Sequence, residues 1–434
     1  MRTFHRSDLA SLLIAPLALA TLAASACDNA AVAPEPPGIL AVSDVEREAN
    51  PNVAPADASE LVAGNTRFAV DAYHEIRHLP GNLFYSPFSV STAMAMTYGG
   101  ARGDTETQMA DVLHYTLPGE RLHSAFNWLD HELDSRGQGA QGADGNGFRL
   151  NVINNVFGQE GYEFVPEYLD LLAKHYGSGM SLLDFFADAE GARQIINDWV
   201  ASVTEDRITE LLPQGSIDPS TRLVLTNAVY FNAAWKNPFI ADLTTPGPFQ
   251  TDTGTVDTPM MSGEVEMTEA SGDGFVALGL PYDGDQLDMV MIVPDAGLFD
   301  DIEANLSAET LEQVFASLTP SQYGMLRMPS FSFRSKLDMV ETFQSLGLSA
   351  AFDSSADFSG INGQRNLQIT GIFHEAFINL NEAGTEAAAA TAVVVGETSV
   401  PQTFSVDRPF LFAIRDIPTG TILFLGRVLD PTAS

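Results

Sequence analysis

Apolar positions change their spacing about halfway along the chain. Between residues 60 and 78, Phe68, Ala69, Ala72, Tyr73 and Ile76 recur three and four apart, which puts them on one face of a helix. Ser86-Pro87 reads as the start of the next helix, with serine as cap and proline in the first turn. The small and apolar run to Tyr98 continues it, and Gly99-Gly100 stops it. Helical spacing returns over 120–135, over 166–176 before Gly177, and over 191–204, while 148–157 alternates as a strand does. After Leu223 strands dominate, at 223–231, 288–293, 324–333, 367–379, 410–414 and 421–428. Helices mostly first and strands mostly later, without regular βαβ alternation, predict an α+β fold.

The first 27 residues read as an address. Arg2 and Arg6 precede the apolar run from Leu9 to Leu22, and Ala23-Ala24-Ser25-Ala26 leads to Cys27, the only cysteine of the chain. This is similar to a bacterial lipoprotein processing site, with Cys27 as the lipidated residue, although Ala24 stands where leucine is usual. The alternative is ordinary secretion with an incidental cysteine. Either way the expectation is an exported bacterial protein, extracellular or held at the cell envelope by a lipid anchor. Residues 28–58, rich in Ala, Pro, Asp, Glu and Asn, read as a flexible acidic linker. Residues 59–434 show no repeat and no second linker, so one domain is expected there.

Charge narrows the partners. The 434 residues carry 21 Lys+Arg against 57 Asp+Glu, a formal net charge of -36. Phosphate or heparin-like polyanions need clustered cations, so neither a nucleic acid nor such a polyanion is expected as partner. A single cysteine excludes an intrachain disulfide.

Several short motifs compete for attention. Gly137-x-Gly139-x-x-Gly142 matches a dinucleotide fingerprint, but it follows a helix and precedes a strand, the reverse of what a phosphate site needs. No cofactor is expected. Arg102-Gly103-Asp104 reads as part of a turn between helices. His74-Glu75-Ile76-Arg77-His78 has the H-E-x-x-H spacing of zinc peptidases. Both histidines fall opposite the apolar stripe, Leu79-Pro80-Gly81 ends the helix at once, and no third ligand follows. A zinc peptidase using His74, Glu75 and His78 is the remote alternative. No Gly-x-Ser-x-Gly elbow occurs, and the chain is not expected to be an enzyme.

Residues 382–399 are different in kind. Glu382 and Gly384 form a joint, and from Ala387 to Val395 every residue is uncharged and small or β-branched. If extended, Thr385, Ala387, Ala389, Thr391 and Val393 share one face, and Glu386 points the other way, where it could stay in water. Alanines favour helix, whereas the threonines and valines favour strand. A segment acceptable both as a loop and as a central strand is a candidate two-state element.

This segment, Glu382-Ala383-Gly384-Thr385-Glu386-Ala387-Ala388-Ala389-Ala390-Thr391, resembles the hinge of the serpins, the serine protease inhibitors. Asn82 to Val90, Gly99 to Thr105, Ile196 to Val200, Thr204 to Ile208, Thr226 to Trp235, His374 to Phe377, Asp407 to Phe412 and Phe424 to Pro431 resemble further family motifs, in order along the body. The resemblance implies three β-sheets, eight to nine helices and an exposed reactive-centre loop at about 382–404. It implies a monomer whose covalent target is a serine protease, with cysteine proteases a further possibility. The protease cuts the loop, forms an acyl-enzyme, and is trapped when the loop inserts into the main sheet.

Residue by residue, Ser86, Ser89, Asn227 and His374 match the family's shutter, where the sheet opens. Trp235 matches the breach, where insertion begins. Glu382, Gly384, Thr385, Glu386 and Ala387, Ala388, Ala389, Ala390 match the hinge. Counting from Glu382 and back from Pro409 both place the reactive bond at Thr398–Ser399. Threonine before the bond suits elastase-like or subtilisin-like enzymes, and Glu397 leaves a glutamate-specific protease as a second option. Ser330 stands where many serpins carry a lysine that pairs with the residue matching Glu382, a change expected to loosen the breach. Arg334 lies near enough in sequence to be considered as a substitute. The Gly-rich stretch 137–147 resembles an inserted loop of unassigned purpose. A non-inhibitory serpin, cut as a substrate or used as a binding module, is the alternative reading.

Overall fold

A computed structural model describes residues 34–386 and 402–433, and the first described element is a strand within the expected spacer. Strand β1 (Ile39–Ala41) pairs antiparallel with the later segment Met180–Leu183. Arg47 Nε donates to Asn127 Oδ1 at 2.9 Å, its guanidinium pairs with Asp130, and Glu48 N donates to the Lys174 carbonyl at 2.9 Å. The Asn127 amide returns a bond to the Glu48 carbonyl at 2.7 Å. The described part of the expected linker is therefore fastened to the body, and the first helix begins at Pro55. These polar residues do find partners, but the partners lie 79 or more positions away, where no local pattern reveals them.

The chain continues through α1 (Pro55–Ile76), β2 (Leu83–Tyr85), α2 (Pro87–Tyr98), α3 (Gly103–Val112), α4 (Glu120–Asp134), β3 (Arg149–Gln159), α5 (Pro166–Tyr176), β4 (Met180–Leu183), α6 (Ala189–Val203) and β5 (Leu223–Ala234). Then come β6 (Thr245–Thr251), β7 (Gly254–Gly263), β8 (Thr268–Gly272), β9 (Phe275–Pro281), β10 (Leu287–Pro294), α7 (Phe299–Ala304), α8 (Ala308–Ser317), β11 (Thr319–Pro320), β12 (Met325–Pro329) and β13 (Phe331–Asp338). The last elements are α9 (Val340–Ser345), α10 (Ser359–Asn362), β14 (Ile372–Asn381), β15 (Gly384–Thr385), β16 (Thr403–Ser405), β17 (Phe410–Asp416) and β18 (Ile422–Val428).

The described residues thus hold ten α-helices where eight to nine were expected, but α10 has four residues and α7 and α9 six each. The stretch 324–333, read as one strand, is two strands in different sheets that break at Ser330. Its apolar positions change phase at the break, from Leu326 and Met328 to Phe331 and Phe333 with Pro329 between, a local signal that the single-strand reading passes over. The Arg102-Gly103-Asp104 tripeptide opens α3 instead of lying in a turn.

Three sheets form. The main sheet runs β1-β4-β3-β5-β15-β14-β13, the second β11-β8-β9-β10-β17-β18-β2, and the third β16-β12-β7-β6. All these strands lie within one compact unit, Glu35–Ser434. Strand β5 is buried on both faces, and alternate residues serve two cores. Leu223, Leu225, Val229, Phe231 and Ala233 join the large core shared with α1, α2 and the second sheet. Val224 and Ala228 join Ile153, Phe157 and the Ile196, Trp199, Val200 and Val203 stripe of α6. Among the described residues no helix is long and apolar enough to cross a membrane.

Candidate functional site

The side chains matched to the shutter meet at one level of the main sheet. The strand registers place Asn154 of β3 opposite Asn227 of β5, and Asn227 opposite His374 of β14. The start of α2 lies over this row. Ser86 caps the helix by accepting from Ser89 N at 3.2 Å, and its own backbone N–H donates to His374 Nε2 at 3.0 Å. That bond makes Nε2 the acceptor, so Nδ1 carries the proton and donates to Asn227 Oδ1. The Asn227 amide then donates to Ser89 Oγ, with Asn154 completing the cluster. His374 is fully buried with no charged partner, and burial holds its pKa down at about 3. It is neutral at any ordinary pH. Asn154 was missed from sequence, although a buried-strand pattern interrupted by Asn154-Asn155 was a visible signal.

At this level β5 and β14 are joined directly: Leu225–Val229 pairs in parallel with Ile372–Ala376. Higher up they part, and β15 fills the gap, with Gly384 opposite Ala234 and Asn381, and Thr385 opposite Ala233 and Leu380. Two residues of the hinge are therefore already strand. Gly384 has φ of 155°, and a Cβ there would meet the Ala233 carbonyl at 2.1 Å, so only glycine passes. Thr385 is buried, with Oγ1 2.8 Å from the Tyr282 hydroxyl. Trp235 stacks on Tyr282 with ring centroids 4.6 Å apart. Its Nε1 donates to the Asn381 carbonyl at 3.0 Å and its backbone N–H to Ala383 O at 2.9 Å. Trp235, matched by resemblance to the breach, thus bonds the turn that leads into β15.

Two expectations are corrected. Glu386 is not in water: it is buried, at φ of 65°, with its carboxylate against Arg207. Burial pushes its pKa up, and the Arg207 charge pulls it back down. Glu382, which has no lysine at Ser330, accepts from Thr244 Oγ1 at 2.6 Å, while Phe239 N donates to its carbonyl at 2.8 Å. Arg334 does not replace that lysine. It pairs with Glu375 at 3.2 Å and lies over the Phe377 ring.

Beyond Glu386 the hinge residues Ala387, Ala388, Ala389 and Ala390, the Thr398–Ser399 bond and also Cys27 lie outside the described residues. The chain resumes as β16 in the third sheet, parallel to β12, so residues 387–402 connect two sheets. The H-E-x-x-H motif does not form a metal site. His74 Nε2 bonds the Leu306 carbonyl at 2.8 Å, and α1 ends at Ile76, before His78. No group of three or more potential ligands is found among the described residues.

A family model for serpins, the serine protease inhibitors, matches residues 63–431. An uncharacterised serpin-like protein of Thermococcus kodakarensis is 37% identical over 369 residues, covering 84% of each chain. The leukocyte elastase inhibitor of Bos taurus is 37% identical over 391 residues, covering 86% of this chain and all of the relative. Uncleaved ovalbumin superposes with a TM-score of 0.76 at 28% identity, over 86% of this chain and 100% of its own. With its three sheets and these relatives, the chain belongs to the serpin family, whose members are in general protease inhibitors.

Proposed function

We propose that the protein inhibits serine proteases as a suicide substrate. The protease serine attacks the Thr398 carbonyl, the bond to Ser399 breaks, and the new amine of Ser399 leaves with a proton. Thr398 stays esterified to the enzyme. The freed segment then enters the main sheet between β5 and β14 before water reaches the ester.

One observation carries this reading: the two hinge residues of β15 sit in the cleft in register with both neighbours. Continuing both registers puts Thr391 opposite Asn227 and His374 at once, a pair that already face each other. Val395 falls opposite Leu223, the first residue of the 12-residue strand β5. The ladder is thus filled three residues short of the bond. Ala387, Ala389, Thr391 and Val393 take the face of Phe231, Val229, Asn227 and Leu225, toward the large core. Insertion separates Leu225–Val229 from Ile372–Ala376 and replaces the Asn227–His374 bond with bonds to the Thr391 hydroxyl. New ladder bonds and buried apolar surface supply the drive.

Threonine at the cut, with Val393 to Val395 before it, suits enzymes with small apolar pockets, elastase-like or subtilisin-like, in keeping with the name of the bovine relative. Export follows from residues 1–27, with Cys27 as lipid attachment. Fractionation and the mass of the N-terminal peptide test that part.

The inhibition test mixes the protein with subtilisin or pancreatic elastase. A band at the summed mass that survives boiling in SDS, with a released peptide beginning at Ser399, is the expected result. Complete cleavage with protease activity intact overturns inhibition. If cleavage also leaves thermal stability unchanged, the insertion mechanism falls as well.

A further inference from the structure

The Gly-rich stretch 137–147, between α4 and β3, reaches the hinge through one buried side chain. Gln141 O accepts from Ala234 N at 3.0 Å at the end of β5, and Gln141 N donates to Asp283 Oδ2 at 2.8 Å. Gln141 bridges Gly147, and Gly142 N donates to Asn146 O at 2.6 Å, closing a hairpin. Its tip turns inward. Ala143 N donates to Asn232 Oδ1 at 2.7 Å, and the same amide donates through Nδ2 to the Glu386 carbonyl at 2.9 Å. Asn232 is 1% exposed, so this single carboxamide joins the hairpin to the first hinge residue past β15. A Cβ on Gly384 would lie 3.0 Å from the Ala143 Cβ, so the hairpin also covers the hinge directly. The tip tolerates no side chain at Gly142, where a Cβ would meet Asn232 Oδ1 and the Gly147 carbonyl at 2.8 Å each. A salt-bridge route runs alongside: Asp144 pairs with Arg149, whose Nε lies 3.0 Å from Glu205 Oε1, two residues before the Arg207 that holds Glu386.

We propose that Asn232 is a positioning residue for loop insertion, and that the Gly-rich hairpin acts through it as a latch that keeps Gly384 and Thr385 in the sheet. The proposal rests on the insertion reading above. A strand addition has a costly start, because the first residues are ordered before the ladder returns bonds. A hinge held in place has already met that cost, so the cut loop propagates ahead of deacylation. A released hinge leaves the upper gap open to other strands and delays its own return.

The test uses the full protein as wild type, N232A, G142V and the double variant, with two readouts. The first needs no protease: the rate at which a labelled peptide of residues 384–395 anneals into the intact protein. The second is the number of inhibitor molecules consumed per molecule of subtilisin blocked. Each single variant is expected to anneal peptide about fivefold faster, the net worth of one hydrogen bond, and to consume more inhibitor. The double variant is expected to go no further than the single ones, since both act on one connection. Gly142 lies in the hairpin and outside the strands of the main sheet, so G142V carries the test should N232A fail to fold. Annealing at the wild-type rate in the variants, or effects that multiply in the double variant, overturns the latch while leaving insertion intact. A wild-type protein that neither anneals peptide nor traps subtilisin overturns the insertion reading and the latch with it.

Discussion

The hydroxyl of Thr385 lies 2.8 Å from that of Tyr282, and neither residue reaches solvent. The hinge threonine is thus packed as a core residue, beneath the Trp235–Tyr282 stack. An arginine cannot be buried there without a partner. T385R is expected to hold the hinge out of the sheet. Subtilisin should then cleave the loop completely, form no SDS-stable complex, and leave the thermal midpoint unchanged after cleavage.

His374 and Asn227 hold the closed sheet to α2. H374A leaves the Ser86 N–H and Asn227 Oδ1 without partners in a buried site. A cost of roughly 2–4 kcal/mol is expected, read as a lower urea midpoint of the first unfolding transition. An unchanged midpoint would show that water or a shifted Ser89 takes over.

Acid should weaken the fold through buried neutral histidines. His374 and His123 both titrate near 3 instead of 6.5, chiefly because burial disfavours the cation. The unfolded chain therefore binds protons more readily than the folded one. Nothing is lost above the ordinary value, and stability falls as pH drops from about 6.5 toward 3. Each group accounts for about 1.4 kcal/mol per pH unit in that window. H374N should flatten the decline of the urea midpoint between pH 6 and pH 4 relative to wild type, and an identical slope would contradict the assignment.

Arg427 joins β18 to α7 and to the end of α1. It pairs with Glu303 at 2.7 Å, and its guanidinium donates to the carbonyls of Arg77, Leu79 and Gly81. Both side chains are buried. R427M leaves the buried Glu303 carboxylate with only the Tyr73 hydroxyl at 2.6 Å and Arg77 at 3.9 Å, and takes the donor from three carbonyls, at an expected cost of about 3–5 kcal/mol. Thermal unfolding of R427M beside R427M/E303Q checks this: the double variant should recover part of the loss.

The N-terminal segment should come away when its clamp is cut. R47A removes the bonds to Asn127 and Asp130 and is expected to cost about 1–2 kcal/mol. Limited proteolysis should then nick residues 35–48 ahead of the body. Resistance equal to wild type would place the hold in the β1–β4 pairing instead.

Much of the architecture was legible because periodicity and caps are local. The cap at Ser86, the stop at Gly177 and the doubly buried run of β5 need only neighbouring residues to be read. The strands from β6 to β9 were not read, since β6 and β7 carry polar and proline positions on an exposed face. The shutter residues were found one by one through resemblance. That Asn154, Asn227 and His374 form a row is a matter of register between three strands far apart in the chain.

By itself the sequence determined the family, the α+β class and the uncharged composition of the stretch from Ala387 to Val395, because those depend on the identity and order of side chains. Only the tertiary structure decided that Thr385 is already buried, that Glu386 faces Arg207 rather than water, and that a Gly-rich hairpin touches the hinge through Asn232. Each of these relations joins residues from distant segments. Their free energy arises only when the closed sheet brings them within bonding distance, and no pattern along the chain carries it.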